Sequence, residues 1–172
     1  MIKTILINGA TSGLGKQLSI FFDRKDYKLI CLGKDKKKMF SLKKKLKKTH
    51  IFINNDFTKE KNLKSLKKDL NKYQNIDAVI HSMGGGLGLK KDLLPKEDFL
   101  KLFSVNLLVQ SEINNLLISK AIKKKKKLKI IHLSTVASLE SIASIGYSTA
   151  KSALNTYSKI LSKKFLKNKI DV

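Results

Sequence analysis

Tyr147 and Lys151 are the residues of this sequence whose types and spacing best fit acid–base chemistry. A separation of four places a phenol and an ammonium on one face of a helix. A phenol titrates at about pH 10, and a neighbouring cation favours the phenolate and lowers that pKa. The pair could therefore exchange a proton with a substrate oxygen near neutral pH. Tyrosine and lysine are often four residues apart by chance, so this interpretation depends on the surrounding elements.

A glycine-rich segment near the N-terminus is the second candidate. It runs from Asn8 to Lys16 and contains Gly9, Gly13 and Gly15. Where a strand turns into a helix, such glycines allow a tight turn, close approach of a pyrophosphate to the backbone, and close packing of helix on strand. The helix N-terminus adds unpaired N–H groups and a positive dipole end. The segment therefore predicts a dinucleotide site rather than a plain turn.

Short apolar runs alternate with longer amphipathic segments and form the framework for both motifs. We predict strands at residues 5–7, 28–32, 51–53, 77–81 and 130–133, with a sixth starting at 170. Helices are predicted at about 13–24, 35–47, 63–70, 105–121 and 147–166, with Pro95 in the first turn of another. Nearly continuous apolar strands between helices indicate a parallel sheet covered on both faces. The predicted fold class is α/β, a doubly wound Rossmann-like sheet in a single domain over residues 1–172.

The order of the two motifs resembles that of the short-chain dehydrogenase/reductase family. Gly-x-x-x-Gly-x-Gly follows the first predicted strand, and Tyr-x-x-x-Lys follows the fifth. The resemblance implies an enzyme, an NAD(P)-dependent oxidoreductase that moves a hydride between a nicotinamide and a carbonyl or alcohol. It also implies that Tyr147 protonates the carbonyl oxygen during reduction. Lys151 would lower the pKa of that phenol and hold the nicotinamide ribose.

The resemblance implies two further catalytic groups. One is a hydroxyl after the fifth strand, for which strand register selects Thr135 and counting back from Tyr147 selects Ser134. The other is Asn106, which matches the family asparagine that bends its helix and supports a water-mediated proton path to the lysine. The family's Asn-Asn-Ala-Gly reads His81-Ser82-Met83-Gly84 here, so only the glycine is kept. We assign no chemistry to the three histidines and expect no metal site.

The end of the second strand distinguishes the two nicotinamide cofactors. An acid there bonds the ribose 2′-hydroxyl of NAD, whereas a base accommodates the 2′-phosphate of NADP. Lys34 stands at this place and Asp35 follows, where it could cap the next helix. We therefore favour NADP(H) over NAD(H). The expected cofactor contacts, including an adenine contact from Asp56 that the resemblance implies, are Gly9, Thr11, Ser12, Gly13, Leu14, Gly15, Lys34, Asp56, Phe57, Gly84, Tyr147 and Lys151.

The chain is strongly basic, with Lys+Arg 37, Asp+Glu 13 and a formal net charge of +24. Such a charge raises nucleic acid or an anionic membrane as a partner. The lysines, however, are spread over 34–48, 59–72 and 120–129, on outer faces of separate predicted helices, and Arg24 is the only arginine. We therefore favour a solvated surface over a dedicated nucleic-acid site and expect no membrane partner.

Three sequence features bear on the localisation of the protein: its N-terminus, its apolar stretches and its single cysteine. The apolar run after Met1 meets Gly9 too early for a secretory signal, and no stretch approaches the roughly 20 apolar residues that cross a bilayer. The lone Cys31 cannot form an internal disulfide. These features predict a cytoplasmic protein.

The resemblance also implies elements after the sixth strand that this sequence does not contain. Family members continue with a Pro-Gly turn beside the nicotinamide, a substrate-covering loop and helix, and a final strand. We expect a C-terminally truncated fold with an open substrate pocket and an exposed sheet edge that favours a homo-oligomer. Three functions stay open: an active reductase for a small carbonyl or alcohol, a non-catalytic fragment, and a basic nucleic-acid-binding protein on the same scaffold.

Overall fold

The centre of the computed structural model, which describes residues 3–89, 91–140 and 142–172, is a six-stranded parallel sheet. Its strands are β1 (Thr4–Asn8), β2 (Lys28–Gly33), β3 (Ile51–Asn54), β4 (Ala78–His81), β5 (Leu128–His132) and β6 (Ile170–Asp171). Their order across the sheet is β3-β2-β1-β4-β5-β6, and every pairing is parallel. The order reverses between β1 and β4, where doubly wound sheets bind ligands outside the carboxyl ends of their strands. The predicted α/β fold class is confirmed.

Helices cover both faces of this sheet because the apolar side chains of the strands alternate between two cores. The helices are α1 (Gly13–Arg24), α2 (Lys36–Lys45), α3 (Glu60–Asn71), α4 (Lys96–Phe103), α5 (Val109–Lys123) and α6 (Ile145–Phe165). Ile5, Ile7 and Leu29 face a core that includes residues of α1 and α2. Leu6 and Ile30 face the opposite core, which includes residues of α3, α5 and α6. The amino-terminal prediction about Met1 lies outside the described residues.

The segment from residue 95 to 123 differs from the prediction. The sequence pattern predicts Pro95 in the first turn of one helix and a second helix from Val105. Pro95 instead precedes α4, and a π-helical turn, Ser104–Leu108, joins α4 directly to α5. A π turn holds one extra residue, and it therefore shifts the apolar repeat in the way that a helix boundary would. The two predicted helices are one continuous helical segment.

A buried carboxylate, Asp23, ties the end of α1 to the segment that leads into β3. Its oxygens accept hydrogen bonds from the backbone N–H groups of Lys47 (3.0 Å) and Lys48 (3.2 Å) and from Nε2 of His50 (2.8 Å). Nδ1 of His50 accepts from the backbone N–H of Leu29 at 3.2 Å, so the ring carries its proton on Nε2. Burial raises the pKa of the Asp23 carboxyl, but these hydrogen bonds outweigh burial and leave the pKa below its usual value.

Asp23→Asn should lower the free energy of unfolding at pH 7 by about 2–4 kcal/mol, because an amide presents its own N–H donors to the groups that now donate to the carboxylate. A carboxyl with a depressed pKa stabilises the fold above its unfolded pKa of about 4, and this contribution is lost as the pH falls through the folded value. Urea unfolding should therefore show a smaller loss at pH 3 than at pH 7. Asp26→Asn, on an exposed side chain nearby, is the matched control, and equal losses in the two variants would contradict this role.

Candidate active site

A pocket of about 180 Å³ lies where β1, β2, β3 and β4 end. Its lining comes from the turn after β1, the end of β2, and the loops that follow β3 and β4. The pocket therefore occupies the crevice that the strand order creates. The predicted cofactor contacts that line it are Gly9, Thr11, Ser12, Lys34, Asp56, Phe57 and Gly84.

The glycine turn after β1 is held between β2 and the loop after β4. Gly9 adopts a φ of +90°, and a Cβ placed there would lie 2.6 Å from the backbone nitrogen of Met83. A Cβ on Gly15 would overlap the carbonyl oxygen of Gly9, so α1 packs directly on the turn. A Cβ on Gly13 would meet no atom within 4 Å, which leaves this part of the backbone open to a ligand. The tight turn at Gly9 and the close helix packing at Gly15 thus match the space around them, and the pyrophosphate contact stays a prediction.

Other predicted contacts lie at the edge of this arrangement. Leu14 is 55% exposed and does not line the pocket. Phe57 lines the pocket, although its side chain is buried in the core that includes Leu66 and Leu70 of α3.

The charged residues of the pocket are Lys34 and Asp56. Asp35, which follows Lys34, caps α2 by accepting a hydrogen bond from the backbone N–H of Lys38 at 2.9 Å. Oδ1 of Asp56 accepts from the hydroxyl and the backbone N–H of Thr58 at 2.7 and 3.1 Å. Burial raises the pKa of Asp56, but these bonds and the charge of Lys34 outweigh it and lower the pKa overall. The pocket thus presents an exposed cation and an ionised carboxylate at neighbouring strand ends.

Tyr147 and Lys151 lie one turn apart on α6, as the spacing predicts. Lys151 is only 4% exposed, and its Nζ donates a hydrogen bond to the carbonyl of Leu133 at 2.7 Å. Burial lowers the pKa of this ammonium. A Cβ placed on Gly84 would lie 3.2 Å from Nζ of Lys151, and one placed on Gly86 would lie 3.9 Å from Cβ of Tyr147. The glycine segment after β4 therefore runs alongside the pair.

Asn106 lies within the π-helical turn and holds the same glycine segment. Its Oδ1 accepts from the backbone N–H of Gly85 at 2.9 Å, and its Nδ2 donates to the carbonyls of Gly85 (3.0 Å) and Leu102 (2.9 Å). The backbone carbonyl of Asn106 accepts from Nε2 of Gln110 at 2.9 Å. The side chain of Asn106 thus fixes the position of the loop after β4.

Both candidate hydroxyls follow the end of β5. Oγ1 of Thr135 accepts a hydrogen bond from the backbone N–H of Ala137 at 3.3 Å and caps a short 3₁₀ turn, Val136–Ser138. The hydroxyl of Ser134 is on an exposed residue. A hydroxyl that accepts one hydrogen bond still carries a proton to donate, so Ser134 and Thr135 both remain candidates.

The sequence interpretation identified Asn106 but missed two further buried amides on the same helical face, Gln110 and Asn114. Asn106, Gln110 and Asn114 recur every four residues along one helical face, and all three are fully buried. Gln110 donates to the carbonyl of Met83 at 3.0 Å, and Asn114 contacts His81 and His132. The sequence signal that could have revealed them is the presence of amide side chains at positions where the helical repeat predicts apolar residues. Among the described residues there is no group of acidic, histidine or cysteine side chains that could hold a metal ion, and no helix long and apolar enough to span a membrane.

The chain belongs to the short-chain dehydrogenase family, because the family model described as "short chain dehydrogenase" matches residues 3–172. It is 25% identical to carbonyl reductase family member 4 of Xenopus tropicalis over 177 residues, which cover 100% of this chain and 73% of that protein. Its fold is similar to that of the bulky-bulky ketone specific alcohol dehydrogenase of Comamonas testosteroni, with a TM-score of 0.87, 21% identity, and coverage of 98% of this chain and 70% of that one. It is also similar to a short-chain dehydrogenase of Sphingobium yanoikuyae in complex with NADPH, with a TM-score of 0.88, 18% identity, and coverage of 98% and 68%.

Gly84→Ala and Gly85→Ala form a matched pair that tests the close packing at the site. Both glycines have a similar backbone strain for alanine, with φ of +150° and +144°. A Cβ on Gly84 would lie 2.6 Å from Oδ1 of Asn106, whereas a Cβ on Gly85 would meet no atom within 4 Å. Gly84→Ala should therefore cost about 1–3 kcal/mol more of unfolding free energy than Gly85→Ala in urea titrations. Equal costs would show that Asn106 and Lys151 do not confine the backbone of Gly84.

Proposed function

We propose that this chain is an NAD(P)-dependent oxidoreductase that transfers a hydride between a nicotinamide and a small carbonyl or alcohol, with NADP(H) as the preferred cofactor. The observation that carries this proposal is the position of the glycine segment after β4. Gly84 lines the pocket and also lies against Asn106 and Lys151, while Gly86 lies beside Tyr147. An extended dinucleotide that occupied the pocket could therefore reach the Tyr147–Lys151 pair along this segment.

The pocket residues suit the parts of such a cofactor. The open backbone at Gly13, at the start of α1, would receive the pyrophosphate, because the first N–H groups of a helix lack intrahelical partners. Asp56 would accept a hydrogen bond from the adenine amine. Lys34 supports NADP(H), since an ammonium can pair with the 2′-phosphate, while Asp35 is already engaged as the cap of α2.

Proton transfer would be the task of the residues on α6 and after β5. Lys151, one helical turn from Tyr147, would hold the nicotinamide ribose beside that phenol. Tyr147 would donate its proton to the carbonyl oxygen during reduction, and Ser134 or Thr135 would donate a hydrogen bond to the same oxygen. Asn106 would keep the glycine segment in place through its two hydrogen bonds to the backbone of Gly85. Bound NADPH would supply the hydride.

Several lysines of the basic segment 120–129 donate hydrogen bonds to backbone carbonyls of this protein. This supports an oxidoreductase function over nucleic-acid binding. Nζ of Lys120 donates to the carbonyls of Leu70 and Tyr73, each at 2.8 Å, where α3 ends. Lys124 donates to the carbonyl of Gln74 at 3.0 Å. Cations at the carboxyl end of a helix also interact favourably with its dipole.

Lys34→Ala should weaken NADPH binding about 10- to 150-fold and leave NADH binding nearly unchanged, because one charge-assisted pair with a phosphate is worth roughly 1.5–3 kcal/mol. Titration of the full chain with each cofactor, followed by melting temperature, measures both affinities. Lys36→Ala, on an exposed lysine two residues further, is the control for the general loss of positive charge. An unchanged ratio of the two affinities in Lys34→Ala would rule out a phosphate contact.

Tyr147→Phe should lower kcat for NADPH-dependent ketone reduction by about 10²–10⁴-fold, because it removes the proposed proton donor. The cofactor affinity should change little. Tyr27→Phe makes the same chemical change on a tyrosine that packs against α1 and should keep the rate. An unchanged rate in Tyr147→Phe would exclude this residue as the acid.

A further inference from the structure

Five side chains form a continuous hydrogen-bond chain from the end of β1 to α6, beside the proposed site. Nδ2 of Asn8 lies 3.3 Å from Nδ1 of His81, and Nε2 of His81 lies 2.9 Å from Oδ1 of Asn114. Nδ2 of Asn114 lies 2.9 Å from Nε2 of His132, and Nδ1 of His132 lies 2.8 Å from Oγ of Ser158. The two imidazoles stack with their centroids 5.1 Å apart. The chain thus crosses β1, β4, α5, β5 and α6.

The donors and acceptors of this chain give it one direction. The amide nitrogen of Asn8 can only donate, so Nδ1 of His81 accepts and the ring carries its proton on Nε2. That proton goes to Oδ1 of Asn114, whose nitrogen in turn donates to Nε2 of His132. His132 then carries its proton on Nδ1 and donates it to Ser158, whose hydroxyl donates to the carbonyl of Leu154 at 2.8 Å. An amide offers one donating and one accepting end, so a bridge through Asn114 requires opposite tautomers in the two rings.

Both imidazoles are uncharged at neutral pH. Burial, followed by the effect of His132, lowers the pKa of His81 to about 3. Burial and the charge of Lys151 lower the pKa of His132 to about 4. A protonated ring would also have no lone pair for the donor that now faces it. The amide contacts and the two stacked rings are therefore consistent only when both rings are neutral.

The backbone at the same strand ends holds the residues of the proposed site. The N–H of Ser82 donates to the carbonyl of Asn8 at 2.8 Å, and the N–H of Leu133 donates to the carbonyl of His81 at 3.1 Å. The carbonyl of Leu133 is the group that accepts from Nζ of Lys151. His132 thus directly precedes the residue whose carbonyl holds the ammonium.

We propose that Asn114 is a positioning residue for the reaction: by bridging His81 and His132 in opposite tautomers it fixes the end of β5, and with it the Leu133 carbonyl that holds Lys151. The effect on turnover depends on the proposed function, whereas the tautomers do not. His81 stands where the family's first asparagine of Asn-Asn-Ala-Gly would stand, so this member of the bridge departs from that motif.

Nitrogen NMR of the full chain at pH 7 tests the bridge directly, because it distinguishes the two neutral tautomers of histidine and the charged form. We expect an Nε2–H ring for His81 and an Nδ1–H ring for His132. Identical tautomers in the two rings, or a charged ring in either, would overturn the proposal.

Asn114→Asp is the sharpest variant, because it keeps the shape and removes the donor. An ionised carboxylate only accepts, so His132 must then carry a proton on Nε2, either as the other neutral tautomer or as a charged ring. Asn115→Asp makes the same change on the exposed neighbouring residue and should leave both tautomers as they are. An unchanged His132 tautomer in Asn114→Asp would overturn the bridge. If Asn114→Asp does not fold, Ser158→Ala serves instead. The Nδ1 proton of His132 should then exchange faster with water. An unchanged exchange rate would contradict the proposed series of hydrogen bonds.

Turnover separates the positioning role from a purely structural one. Asn114→Asp should lower kcat about tenfold while the NADPH affinity, measured by titration, stays within twofold of the unaltered chain. An unchanged kcat together with a switched tautomer would overturn the positioning role and leave the proposed function intact. Absence of NADPH binding in the unaltered chain would overturn the proposed function and the catalytic part of this proposal, while the tautomers would still test the bridge.

Discussion

The backbone that leaves β4 is tightly confined at two neighbouring residues, Met83 and Gly84, and the rest of the site is arranged around it. On one side it touches the turn at Gly9, where a Cβ would meet Met83, and on the other it touches Asn106 and Lys151 at Gly84. Side chains at these places would push the pocket and α6 apart. Because glycines stand at these places, the turn after β1 and the helix α6 can both pack against the segment after β4, although they are far apart along the chain.

Polar contacts hold this segment because apolar packing alone would not orient it. Asn106 binds both backbone groups of Gly85, and Gln110 binds the carbonyl of Met83. Oε1 of Gln110 is buried with no hydrogen-bond partner among the described residues, which carries a free-energy cost. The ammonium of Lys151 is buried, and among the described residues its one hydrogen-bond partner is the carbonyl of Leu133. Buried polar groups of this kind are concentrated where a structure has a specific task.

The fold and the motifs could be predicted because they depend on local patterns. Strand runs such as 28–32, the turn at Gly9 and the pair Tyr147–Lys151 are each visible within a few residues, and the family's order of motifs supplied their arrangement. The π-helical turn and the bridge through Asn114 could not be predicted, because they depend on contacts between distant elements. A histidine on a strand and an asparagine on a helix do not reveal in advance that their side chains will meet. The roles of the site residues themselves remain predictions.

The π-helical turn at Ser104–Leu108 contains one extra residue, and this residue sets the rotation of α5 about its axis relative to α4. Each residue advances an α-helix by about 100°. Loss of a single residue from this turn would allow a regular helix, and α5 would then rotate by that angle against α4 and the sheet. The amides at 110 and 114 would turn away from the strands while the helix itself stayed intact. Variation in length among relatives should therefore be tolerated in surface loops but excluded from this one turn.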